Sequence, residues 1–356
     1  MALALSGWSF APAASNAAQQ ARRLIHAALP ATVRLWRIPY VAHAGQLRRA
    51  FVLLPAWYNR RRDPALPLVI SAHGRGIQAR TDCRSWGDLP ALGRFAVVCP
   101  EGQGAHLRLY SWGWRGQIDD LALMPAIVRH ELPWLRIRRH SVYAVGGSMG
   151  GQEALLLVAR FPRLLSGAVA FDAVADLGRQ FRDFPTLRCD TACLKTSGGP
   201  LGRELQRFAT REVGGTPRSD PRGYADRSPL SYARRIAFSG VPLELWWSTS
   251  DLVVPHQQRW QTGALFAAIR RRNPQASVEA FVGAWIHSRE QRSTARLPFA
   301  LAQLGLLPRR YLRRTDRLQE HHFIPRRLFA SKREPPAACR PGEPGCRPAA
   351  AAFRLQ

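Results

Sequence analysis

The stretch Ser141–Leu157, SVYAVGGSMGGQEALLL, passes from β-branched alternation to an apolar helical spacing across Gly146-Gly147-Ser148-Met149-Gly150. The period change predicts a strand running into a helix with one serine at the junction. A turn that sharp strains the central residue, and bare neighbours let strand, helix and a ligand approach closely. The pentapeptide fits G-x-S-x-G, a motif that gains meaning in this strand-turn-helix context. Ser148 is therefore a candidate nucleophile, with helix N-terminal amides facing any oxyanion that forms beside it.

Working outward, further strands are expected in TVRLWRIPY and RRAFVLLPAWY, then in LPLVISAHGRG and FAVVCPEGQG, and later in SGAVAFDA, PLELWWSTSD and SVEAFVGAW. Several are continuous apolar runs ending in glycine, the pattern of strands buried on both faces of a parallel sheet. Helices are expected at DDLALMPAIVRHEL, with acidic residues in its first turn, at MGGQEALLLVARF, at HQQRWQTGALFAAIRRR, and from near Ser288. The alternation predicts an α/β fold: a mostly parallel sheet of about eight strands with helices on both faces. Residues 176–236 break the rhythm and are too long for a simple connection, so they are read as an inserted cap. The expected organisation is a leader at 1–30, one domain at 31–307 and a basic, disordered tail at 308–356.

Serine needs a base to take its proton. His287 directly follows the last strand, at the carboxyl end where a parallel sheet gathers its reactive groups. His256 is the rival, at an expected helix start. The acid that orients the imidazole is expected at Asp251, which ends the preceding strand, with Asp172 and Asp176 as alternatives. The oxyanion hole is expected from the amide of Met149 and from the HGRG loop, where Gly74 and Gly76 let amides near Arg75 face the site. His73 adds to that site or braces the loop. Trp112 and Trp114, in YSWGWRGQIDD, either line a substrate pocket or pack against the cap.

The formal charge of +28 comes almost wholly from arginine, since Lys195 and Lys332 are the only lysines. The arginines are scattered in pairs, so specific nucleic-acid binding is not expected; the tail is expected to give only non-specific contact with anionic surfaces. Neither a cofactor nor a metal is expected, because no histidine accompanies the cysteine pairs at zinc-finger spacing. Cys189/Cys193 and Cys339/Cys346 are candidate local disulfides, whereas Cys99 reads as core packing. The leader has an apolar run and small residues around Ala13–Ser15, without a basic residue after Met1. Together with the cysteine pairs, it favours export or the cell envelope. No apolar run reaches the roughly 18 residues of a membrane span.

From about Thr32 to Gly305 the chain resembles the α/β-hydrolase superfamily, with Ser148, Asp251 and His287 in that family's order. GGSMGGQEAL, REVGGTPRSDPRGYADRSPLSYARRI, STSDLVVPHQQ, HGRG and PEGQG are similar to segments of the prolyl oligopeptidase catalytic domain. The resemblance implies a serine hydrolase that works through an acyl-enzyme on a small ester or short peptide. Met follows Ser148 where an aromatic residue is common in the family, HGRG replaces a doubled glycine followed by proline, and no propeller domain is expected. Single-domain feruloyl and polyhydroxyalkanoate-type esterases share the triad, so ester and amide substrates both stay open. A non-catalytic binding protein on the same scaffold is the competing reading.

Overall fold

Why the apolar runs are continuous is plain in the computed structural model, which describes residues 29–187, 201–285, 287 and 296–314. Eight strands form one sheet in the order β1-β2-β4-β3-β5-β6-β7-β8. They are β1 (Val33–Val41), β2 (Leu47–Pro55), β3 (Leu66–Ala72), β4 (Ala96–Pro100), β5 (Ile137–Gly147), β6 (Gly167–Phe171), β7 (Leu243–Ser248) and β8 (Val278–Gly283). Strand β2 pairs antiparallel with both β1 and β4; every pairing from β4 through β8 is parallel. Every residue of β3, β4, β6 and β7 is buried, because helices cover both faces.

Those helices are α1 (Ala79–Ser85), α2 (Leu89–Gly93), α3 (Arg115–Glu131), α4 (Met149–Arg160), α5 (Leu177–Asp183), α6 (Leu201–Val213), α7 (Pro221–Asp226), α8 (Ala233–Ala237), α9 (Gln257–Trp260), α10 (Thr262–Arg272) and α11 (Arg296–Gln303). One face packs Leu68, Ile70 and Ala144 against Leu121 and Val128 of α3, Leu155 and Val158 of α4 and Ile269 of α10. The opposite face packs Val69, Val145 and Trp246 against Cys83 of α1 and Leu297 and Leu301 of α11. A third apolar cluster joins Trp112 and Met149 to Leu177, Phe184, Leu205, Ala209 and Tyr224, residues of the helical interval between β6 and β7.

Two local expectations are corrected, and Cys99, which packs in the core as expected, gains a bond. Helix α3 starts at Arg115, four residues before Asp119, so the acidic pair is not its first turn. Asp119 instead faces Arg115 one turn back, and buried Asp120 accepts from the His43 amide at 2.7 Å. The helix expected from His256 to Arg272 breaks at Gln261, whose side-chain oxygen turns inward to accept the amides of Ala175 and Asp176, each at 2.8 Å. Cys99 is bonded to Cys83, joining β4 to α1 with a Cα separation of 5.6 Å. The leader, the cysteine pairs 189/193 and 339/346, the helix start near Ser288 and the tail beyond 314 lie outside the described residues. Among the described residues no helix is long and apolar enough to cross a membrane.

Candidate active site

Strand β5 ends at Gly147 and α4 begins at Met149, so the whole reversal falls on Ser148. Ser148 has φ 59° and ψ −123°, a combination that costs a non-glycine residue of order 1–3 kcal/mol. Its amide donates to the Phe171 carbonyl at 2.8 Å, and its carbonyl accepts the Gln152 amide at 3.0 Å, which holds the strained turn from both sides. The glycines have a steric reason. A Cβ on Gly150 would lie 1.9 Å from the Ala72 carbonyl oxygen, and one on Gly146 would lie 2.3 Å from the Gly150 carbonyl oxygen. Only bare residues let α4 cross this close to β3 and β5.

The carboxyl ends of β7 and β8 supply the other two candidates. Nδ1 of His287 lies 2.7 Å from Oδ2 of Asp251. Oδ1 of Asp251 accepts the amides of Val253 and Val254 at 2.8 and 2.9 Å, and Gln257 Nε2 reaches Oδ2 at 3.4 Å. The carboxylate is thus held on every side, with its side chain 1% exposed against 12% for His287. An ionised carboxylate only accepts, so Nδ1 carries the ring proton and Nε2 of the neutral ring is left as its acceptor nitrogen. Burial pulls the imidazole pKa down, but the Asp251 charge and hydrogen bond, with help from Asp172, outweigh it; Arg75 opposes them. The result is a base held above the ordinary histidine value.

The alternatives fall into other roles. His256 is exposed, in a left-handed conformation at the start of α9. Asp176 caps α5, accepting the Arg179 amide at 2.8 Å. Asp172 is fully buried at the end of β6, where it accepts from the Ser248 amide at 2.7 Å and from the Trp285 indole at 2.9 Å. Its carboxylate and those of the Asp251–His287 pair all offer an oxygen or nitrogen within 4.8 Å of one another. The Ser248 hydroxyl donates to the Trp285 carbonyl at 2.6 Å, and the Trp285 amide reaches the same hydroxyl at 2.9 Å. Sequence reasoning missed this clamp, which fixes the segment two residues before His287. The signal was there only in outline, as a serine ending β7 and a tryptophan just past β8.

The HGRG loop lies against the Ser148 turn. A Cβ on Gly74 would sit 3.9 Å from the Ser148 Cβ. His73 braces the loop and is spent in doing so: Nε2 accepts the Gly102 amide at 2.7 Å, which leaves Nδ1 to donate to the Gly74 carbonyl at 2.9 Å. The residue is 2% exposed. The Met149 amide opens α4 and has no acceptor within its own helix. Trp112 is likewise 2% exposed, in a positive-φ turn, and its ring meets Phe184 at 5.5 Å in the third cluster. It packs against the helical interval. Trp114 is half-buried over Gly116, with its ring 6.2 Å from that of His43 by the β1–β2 hairpin.

No family model matches the sequence, and no curated protein matches it. Solved structures do. The acylaminoacyl peptidase of Pyrococcus horikoshii aligns at 13% identity with a TM-score of 0.53, over 82% of this chain and 42% of its own. The S-formylglutathione hydrolase of Staphylococcus aureus aligns at 15% identity and a TM-score of 0.52, over 77% of this chain and 99% of its own. A hyperthermophilic esterase from Pyrobaculum calidifontis aligns at 16% identity and a TM-score of 0.53, over 82% of this chain and 86% of its own. The chain therefore spans well under half the length of the peptidase and nearly all that of the other two.

Proposed function

On the α/β-hydrolase fold that the sheet order and these structural likenesses establish, we propose that the chain is a serine hydrolase of carboxylic esters or amides. The observation that carries the reading is the Asp251–His287 contact of 2.7 Å at the same sheet edge as a strained, half-buried Ser148. A merely structural serine would not need a backbone conformation this unfavourable. The helical interval between β6 and β7 serves as the cap, with Trp112 and Met149 packed into its apolar underside.

In this mechanism His287 Nε2 takes the proton of the Ser148 hydroxyl as Oγ attacks the substrate carbonyl carbon. The carbonyl π-bond opens to an oxyanion, which the amides of Met149 and Arg75 hold. The Arg75 amide donates to no other group among the described residues, as an oxyanion donor must before substrate arrives. Asp251 stabilises the imidazolium through Nδ1. The imidazolium then gives its proton to the leaving oxygen or nitrogen as that bond breaks, and an acyl-Ser148 ester remains. Water attacks it by the same route in reverse, with His287 again the base. A single oxyanion donor contributes about 2.7–4 kcal/mol in such sites.

The test is a matched panel of p-nitrophenyl esters and p-nitroanilides of the same acyl groups. Hydrolysis of either series by wild-type protein, and its loss in Ser148→Ala, supports the reading and assigns the scissile bond. Folded wild-type protein that cleaves neither series sinks it in favour of a binding protein on this scaffold.

A further inference from the structure

Arg75 lies at the corner of a built turn. Ile77 N–H donates to the Gly74 carbonyl at 3.1 Å, which makes Arg75 and Gly76 the two central residues. Gly76 has φ +69° while Arg75 keeps a negative φ, the combination of a type II turn. His73 anchors the turn on one side through both ring nitrogens, and the Gly74 backbone lies against Ser148 on the other. The side chain at this corner is half-buried. Among the described residues its guanidinium has no carboxylate partner and no hydrogen bond.

A guanidinium without a partner, one residue along from the Gly74 backbone that lies against Ser148, is available to an arriving anion. This one is also in the wrong place for the triad alone. Its charge reaches His287 and opposes the imidazolium that forms when Ser148 attacks. Asp251 and Asp172 must outweigh it. An anion delivered by the substrate would remove that opposition at the moment it matters, because it would neutralise the guanidinium while the imidazolium develops. The planar fork of arginine suits a carboxylate in particular.

We propose that Arg75 is a specificity residue which receives an anionic group of the substrate, a carboxylate carried close to the scissile carbonyl. The proposal rests on the serine hydrolase reading for its turnover arm only. Its geometry follows from the turn, the brace and the unpaired charge.

The experiment compares two chemically matched esters on three proteins. The p-nitrophenyl half-esters of glutaric and adipic acid are measured beside their methyl-capped neutral counterparts, with the uncatalysed rate subtracted. The readout is the ratio of kcat/KM, charged over neutral, in wild type, Arg75→Gln and Arg75→Lys. A change that only disturbs the oxyanion loop lowers both esters together and cancels in the ratio. The expected result is a wild-type ratio above one that falls at least about tenfold in Arg75→Gln and is partly kept in Arg75→Lys. Calorimetric binding of glutarate runs alongside and needs no turnover; it is expected to weaken about tenfold or more in Arg75→Gln. Turnover of neutral esters with a ratio equal across the three proteins overturns the role of Arg75 and leaves the hydrolase reading standing. No turnover at all, with Arg75-dependent glutarate binding, does the reverse. Glutarate binding unaffected by Arg75→Gln counts against the proposal in either case.

Discussion

His287 and Asp251 meet at 2.7 Å between two strand ends, and the second oxygen of that carboxylate is held by two backbone amides. The acid cannot rotate away without losing the Val253 and Val254 amides, so its hold on Nδ1 is rigid. Asp251→Asn keeps the size of the side chain and removes the charge that sets the tautomer. It is expected to fold normally and to lose about 10³–10⁴ in kcat, measured on the p-nitrophenyl esters with circular dichroism as the control.

The same contact predicts a pH profile. Burial lowers the His287 pKa, Asp251 more than restores it, and the net value stands above the ordinary one. Only the neutral imidazole can act as base. Activity should therefore fall on the acid side, as pH drops through a value above the usual 6.5 of histidine. In Asp251→Asn that limb should move to lower pH. An unmoved limb would mean that another group controls it.

Glu153, buried in α4 and hydrogen-bonded to the Ser111 hydroxyl, offers a test of stability. Burial lifts its pKa to about 8, only partly offset by hydrogen bonds from Ser111 and Gln117, with Asp82 adding to the rise. The folded chain thus keeps a proton that the unfolded chain releases near the usual 4.5. Stability contributed by this group is complete below that value and is lost as pH rises towards 8. Glu153→Gln cannot ionise. Its Tm relative to wild type should rise by several degrees between pH 5 and pH 9, measured by scanning calorimetry.

The glycines of the turn predict a graded series. Gly150→Ala drives a methyl into the Ala72 backbone, which cannot move without shifting β3. The expected loss is about 3 kcal/mol or more. Gly45→Ala is the control, at φ +75° with open space around it, and should lose only about 1–2 kcal/mol. Urea unfolding at neutral pH compares the two.

Glu212 of α6 ties the helical interval to the loop that carries Gly102. Its fully buried carboxylate accepts the amides of Ala105, His106 and Leu107 at 2.6, 2.8 and 3.0 Å and pairs with Arg227 at 3.3 Å. Arg227 in turn donates to the Ser111 carbonyl at 2.8 Å. Glu212→Ala strands a buried guanidinium and should lose about 3–5 kcal/mol; Glu212→Gln should also be strongly destabilising, because its NH2 would face N–H donors and leave the Arg227 charge unpaired. Since Gly102 holds His73, kcat should fall in Glu212→Ala even at temperatures where it is fully folded.

The sheet was largely legible because its strands are buried on both faces. A wholly buried segment such as Leu66–Ala72, apolar but for Ser71, or Ala96–Pro100 reads the same in sequence as in the fold. The carboxyl-end rule then brought out Ser148, Asp251 and His287 as candidates, since each stands at or just beyond a strand end. What could not be read were contacts between segments far apart in the chain. Asp120 looked like a helix start because acidic residues favour that position; its partner His43 lies 77 residues away. Gln261 gave no sign that its side chain would leave the helix to serve Ala175 and Asp176. Cys83 and Cys99 are 16 residues apart, and only the packing of α1 on the sheet brings them together. Trp112 was ambiguous for the same reason, since a tryptophan in a glycine-rich loop is either lining or packing until the opposing helices are known.

Whether Ser148 is a nucleophile is decided by a fluorophosphonate probe followed by peptide mass spectrometry. One covalent adduct per chain is expected on Ser148, absent in Ser148→Ala and formed far more slowly in Asp251→Asn. Folded wild-type protein that stays unlabelled, or carries the adduct on a different serine, would contradict that role.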